Sequence, residues 1–132
     1  LDFGLVRELK DDAKVGENEY RASAKAGTRR YMAPEVFYGN PYGLPADIYS
    51  FSLILWEVMS LEVPFKGLNK KQHMHQAYKR KLRPHIKWSW PKQIKRLIRD
   101  GWSPKPPCRP TISDILETLR GYSKSASSNI TL

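Results

Sequence analysis

PADIYSFSLILWEVMSL, residues 45–61, is almost unbroken apolar and aromatic sequence between Ile48 and Met59. Ile48, Phe51, Ile54, Leu55, Val58 and Met59 recur at helical spacing, and Leu53 and Trp56 fill the opposite side. A helix lying on a protein surface would be polar there, so the pattern predicts a helix buried nearly all round. The run is too short, and too interrupted by Asp47, Ser50, Ser52 and Glu57, to span a bilayer. It is expected to be a core pillar against which the rest of the chain packs.

The sequence beyond the pillar predicts polar helices joined by proline-marked loops. Val63-Pro64-Phe65 and Gly67 make a turn, and Asn69 can cap a basic helix over residues 70–79. His73 and His75 are two apart, which places them on different sides of that helix and argues against a metal-binding pair. Pro84 keeps residues 82–90 in a loop. Ser89 is the expected cap of a helix over residues 91–101, whose Ile94, Leu97 and Ile98 form an apolar stripe leading to Trp102. Residues 103–110 are a proline-rich loop. Thr111-x-x-Asp114 has the form of a capping box, and Ile112, Ile115, Leu116 and Leu119 give the following helix one apolar face. Gly121 is expected to end it, leaving residues 121–132 as a Ser-rich disordered tail.

Before the pillar, residues 1–9 suggest a short strand pair broken at Gly4, and residues 10–26 an exposed loop. Pro34 and Glu35 suit the first turn of a short helix that ends by Gly39.

The chain has 132 residues, 40% of them hydrophobic and 27% charged, in keeping with one globular domain. The single cysteine, Cys108, excludes an internal disulfide and fits a reducing compartment. The net charge of +10 is distributed over residues 66–99 among apolar positions, which reads as solvated helical faces. A nucleic-acid-binding module is one class such a charge suggests, but neither an aromatic-interleaved basic stripe nor zinc-ligand spacing supports it in the sequence. No secretory leader is visible, and the absence of an initial Met suggests a piece of a longer protein.

Asp2-Phe3-Gly4 and Ala33-Pro34-Glu35 stand in order with a loop between them, followed by Asp47-Ile48-Tyr49-Ser50-Phe51, Trp102 and Cys108-Arg109-Pro110. This succession resembles the activation segment and later helices of a eukaryotic protein kinase, over residues 1–120. Gly27-Thr28-x-x-Tyr31-Met32 and Leu55-Trp56-Glu57 look most like serine/threonine kinases of the tyrosine-kinase-like group. The resemblance implies a mainly α fold: a truncated C-terminal kinase lobe with a long activation segment and a short N-terminal strand remnant. Residues 1–35 would be the activation segment and residues 36–120 the helical lobe.

The resemblance also assigns roles. Asp2 would hold Mg²⁺ beside ATP, Phe3 anchor it in apolar surroundings, and Gly4 act as a joint. Gly27, Thr28 and Tyr31 would line the protein-substrate site. Ser23, then Thr28 and Tyr20, are the expected phosphorylation sites, with Arg29 and Arg30 as local partners for a phosphate. Glu35 and Arg109 would form a buried ion pair, and Asp47 would accept hydrogen bonds from the catalytic-loop backbone. Ser52 departs from the pattern, which usually has Gly there.

The glycine-rich loop, strand lysine, helix glutamate, and catalytic-loop Asp and Asn of such kinases precede the Asp-Phe-Gly motif. No His-Arg-Asp and no G-x-G-x-x-G occurs in the chain. The 132 residues alone are therefore expected to be inactive, to need that other half of the domain as a partner, and without its cover to leave part of the Ile48–Met59 surface exposed as an apolar patch. The expected setting is cytoplasmic, with no membrane segment and no nucleic acid. A pseudokinase acting as a scaffold or allosteric module is the alternative reading.

Overall fold

The computed structural model describes residues 14–17, 19–20 and 29–128. The expected strand pair over residues 1–9 lies outside them. Within the stretch read as a loop, β1 (Lys14–Gly16) and β2 (Glu19–Tyr20) form a short antiparallel hairpin, with Lys14 opposite Tyr20 and Gly16 opposite Glu19. A 3₁₀ turn over Arg29–Tyr31 leads into the four-residue helix α1 (Pro34–Phe37). Pro34 occupies its first turn, where a missing N–H is harmless, and Gly39 at φ 71° turns the chain out of it.

The pillar is α2 (Pro45–Ser60), closed by Leu61 in the left-handed conformation with its N–H bonded to Glu57 O. Ala46, Ile48, Tyr49, Ser52, Leu53 and Trp56 are buried along it. It is not buried all round, however. Ile54 is 49% exposed and Val58 63%. Apolar character marks what can be covered, and the described residues cover only one side of α2.

The helix expected over residues 70–79 changes type halfway. Asn69 caps α3 (Lys70–His73) through a reciprocal box with Gln72: Gln72 N–H donates to Asn69 Oδ1 and Asn69 N–H to Gln72 Oε1. The chain then continues as a π-helix over Met74–Lys79. Arg80 N–H reaches back five residues to His75 O, and Leu82 N–H six residues to Gln76 O.

Helix α4 (Lys92–Gly101) starts at Pro91 without a side-chain cap, so Ser89 does not play the part expected of it. Its buried face is Ile94, Leu97, Ile98 and Gly101. Gly101 meets α2 so closely that a Cβ added to it would overlap Ser52 Oγ and lie 3.0 Å from Ser52 Cβ. Although Ser52 stands where the pattern usually has Gly, the two helices still approach closely here, because the facing residue is glycine.

After a 3₁₀ turn at Pro106–Cys108, the Thr111/Asp114 box opens α5 (Ile112–Ser128). Thr111 N–H donates to Asp114 Oδ2 and Asp114 N–H to Thr111 Oγ1. Of the four apolar residues expected to face inward, Ile115 is buried and Leu119 partly so, whereas Ile112 and Leu116 are exposed. Nor does Gly121 end the helix. It has open space around it, and residues 121–128 continue the helix rather than forming a disordered tail. An exposed mid-helix glycine weakens a helix by about 1 kcal/mol but does not break it. The Ser127 and Ser128 hydroxyls find partners four residues back, at Ser123 O and Lys124 O.

Two clusters make the core. Tyr49, Leu53 and Trp56 of α2 join Ala33, Trp90, Ile94, Ile98 and Trp102 in the larger one. Ile48, Leu97 and Ile115 tie α2, α4 and α5 together in the smaller.

Candidate functional site

Residues 29–32 are held against the helical body by hydrogen bonds with Ser50, Glu57 and Tyr78. Ser50, on the pillar, donates to Tyr31 O at 2.7 Å. Tyr31 donates its hydroxyl to Glu57 Oε2, about two helical turns beyond Ser50 and facing the same loop. The Tyr78 hydroxyl lies 2.9 Å from Met32 O and 3.2 Å from Arg29 O. Burial raises the pKa of both tyrosines, so they remain hydrogen-bond donors through neutral pH.

Glu35 and Arg109 meet as expected. Arg109 Nη1 donates to Glu35 Oε1 at 2.6 Å and Nη2 to Oε2 at 2.9 Å, both side chains being almost wholly buried. The same guanidinium also donates to Pro45 O (2.8 Å) and Ser103 O (2.9 Å). It therefore joins α1, the first residue of α2 and the loop after α4. Its Cζ lies 5.1 Å from the centroid of the Tyr49 ring, and that of Arg83 5.3 Å. Arg83 in turn donates to Ala77 O and Trp102 O.

The other expected site residues divide sharply. Asp2, Phe3, Gly4, Ser23, Gly27 and Thr28 lie outside the described residues. Tyr20 falls in β2. Asp47 stands in the first turn of α2, where partial burial raises the pKa of its carboxyl with no compensating partner among the described residues. Tyr78 and Arg83 were not singled out by the sequence, and Tyr49 only as part of a motif. Their apolar or basic neighbours look like ordinary core or surface, and only the fold brings Tyr78 to the loop and Arg83 over Tyr49.

His73 is a further buried group at this site. Its ring packs edge-on against Phe65 (4.8 Å) and Tyr78 (5.3 Å), and Nε2 has no hydrogen-bond partner among the described residues. Burial, then the charges of Arg30 and Arg83, lower its pKa below the usual 6.5. The neutral form is thus favoured in the folded state, and the unfolded state binds the extra proton. Stability is expected to be complete above pH ~6.5 and to fall as pH drops from there towards the folded pKa. Urea unfolding between pH 7 and 5 should show this slope, and His73→Phe should flatten it; an unchanged slope would place the effect elsewhere.

Among the described residues no group of three or more His, Cys, Asp or Glu could hold a metal ion, and no helix is long and apolar enough to cross a membrane.

Residues 1–119 match the family described as protein tyrosine and serine/threonine kinase, and the chain belongs to it. Among curated proteins it is 36% identical over 139 residues to stress-activated protein kinase alpha of Dictyostelium discoideum, covering 98% of this chain and 21% of that protein. Dual specificity protein kinase shkD of the same organism is 38% identical over 119 residues, covering 89% of this chain and 15% of that protein. Mitogen-activated protein kinase kinase kinase 10 of Xenopus laevis is 34% identical over 125 residues, covering 95% and 12%. The chain thus spans about a fifth or less of the length of these relatives. Its mainly helical architecture is that of a C-terminal-lobe fragment of the kinase fold.

Proposed function

We propose that this chain supplies the activation segment and helical lobe of a serine/threonine protein kinase, which moves the γ-phosphoryl group of ATP to protein hydroxyls. The observation that carries the reading is the two-pronged Glu35–Arg109 pair, which seats Ala33-Pro34-Glu35 on the lobe. Family membership and serine/threonine kinases among the relatives support it.

Mg²⁺-ATP, when bound, supplies the phosphoryl group and screens its charge. The described residues contain no donor set for it, and Asp2, its one proposed ligand here, lies outside them. No step is therefore routed through the nucleotide. What this chain's own residues do is position. Ser50 and Tyr78 hold the backbone of residues 29–32 and Glu57 holds the Tyr31 hydroxyl, which supports the reading that Gly27, Thr28 and Tyr31 receive a protein substrate. Phe3 anchors the metal-binding turn and Gly4 lets it hinge. Phosphorylation of Ser23, or of Thr28 or Tyr20, is the proposed switch, with Arg29 and Arg30 available to a phosphate. The working enzyme is proposed to act in the cytoplasm, joined to an N-terminal lobe and catalytic loop.

The test is transfer of labelled phosphate from ATP to a generic protein substrate by the full-length protein that carries this chain. Mg²⁺-dependent labelling of serine and threonine is expected, falling about a hundredfold or more in Asp2→Asn. Nucleotide binding without transfer in the unmutated protein would overturn the proposal in favour of a pseudokinase. Labelling of tyrosine alone would overturn the residue specificity.

A further inference from the structure

A nearly bare tryptophan lies beside a stripe of cations on helix α4. Trp88 is 87% exposed, whereas Trp56, Trp90 and Trp102 are each below 9%. Its exposure is not that of a loose loop. Trp90 N–H bonds to Lys87 O, closing a turn, and Trp90 itself is sunk in the larger core cluster. Lys95 Nζ donates to Trp88 O at 2.8 Å, which seats the turn on α4. The core thus fixes the turn while the indole points to solvent.

The outer face of α4 continues the feature. Lys92, Arg96 and Arg99 are exposed at i, i+4 and i+7, one stripe opposite the buried Ile94, Leu97 and Ile98. Lys87 is exposed on the turn, and Asp100 is the one acidic residue on the helix. The chain as a whole carries +10. A stripe of like charge destabilises a helix slightly, and an indole in water forgoes its burial, so neither is explained by folding.

We propose that the Trp88 turn and the outer face of α4 are a peripheral docking surface for an anionic lipid bilayer. The charges are complementary, and basic clusters of this size are drawn to acidic headgroups. Tryptophan settles at the headgroup level, where its ring is buried and its N–H stays wet. The helix presents a convex face, which a planar bilayer accepts and an extended peptide does not. The apolar side of α4 remains in the core, so attachment is shallow, reversible and salt-sensitive.

The test mixes the full 132-residue chain with phosphatidylcholine vesicles, with and without phosphatidylserine, and reads cosedimentation and tryptophan emission. Binding only to the phosphatidylserine vesicles, with a blue shift, and release by salt are expected. Trp88→Ala should abolish the shift, because the other indoles are already buried. Lys92→Ala with Arg96→Ala should weaken binding about fivefold per cation removed. Both variants alter exposed residues, and circular dichroism checks that they fold. Equal binding to neutral vesicles, binding unchanged in both variants, or a shift given by an oligonucleotide or acidic peptide but not by vesicles would each overturn the proposal.

Discussion

Arg109→Ala is expected to destabilise the chain by about 3–5 kcal/mol, the range for removing one partner of a buried ion pair. The reason is what remains behind. Glu35 would keep a buried carboxylate without its two donors, and Pro45 O and Ser103 O would lose theirs. Arg109→Lys should recover little, because an ammonium cannot form the planar two-pronged contact and reach both carbonyls. A paired replacement, Glu35→Leu with Arg109→Met, separates the charge from the backbone role. If the ion pair were all that mattered, this apolar pair would restore near-normal stability. The two carbonyls that lose the guanidinium as a donor predict that it stays clearly below the parent. Chemical denaturation of the three variants measures this, and a loss under about 1 kcal/mol for Arg109→Ala would sink the argument.

Gly101→Ala should be the second large effect, about 1–3 kcal/mol from overpacking. At an open helical site the same change would stabilise by up to about 1 kcal/mol, so the sign itself is diagnostic. Here the new methyl would meet Ser52, whose hydroxyl donates to Ile48 O inside the core. Ser52 can yield only by leaving that bond or by pushing α2 from α4. Adding Ser52→Gly should return most of the loss, since the space then moves from one helix to the other. Additive losses in the double variant would show that the two positions do not share one contact.

Particular residues show how far the sequence could be read. The pillar was legible because nine apolar positions among the twelve from Ile48 to Met59 admit few other structures, and its helix runs over Pro45–Ser60 as expected. Glu35 and Arg109 were legible through the motifs in which they stand. The exposure of Ile54 and Val58 agrees with the expectation that part of the Ile48–Met59 surface stays uncovered, although hydrophobicity alone does not say which residues face outward. The end of α5 was misjudged because a single glycine is a weak stop where it carries no left-handed turn. The grip of Tyr78 on Arg29 O and Met32 O joins residues 49 and 46 positions apart, a distance that local periodicity does not reach.

The π-helix at Met74–Lys79 has a consequence for how this segment can change in length. Its wider ring holds one residue more than an α-helical turn would. Deleting a single residue there can be absorbed by a return to α geometry, whereas elsewhere in a helix it rotates everything downstream by about 100°. The rotation is not avoided, only confined: residues after the deletion keep their places, while those inside the wide turn are dealt new directions. Ala77 and Tyr78 are buried from within it. A one-residue deletion at Met74–Lys79 would therefore be a mild event for the fold and a decisive one for the tyrosine that holds the loop.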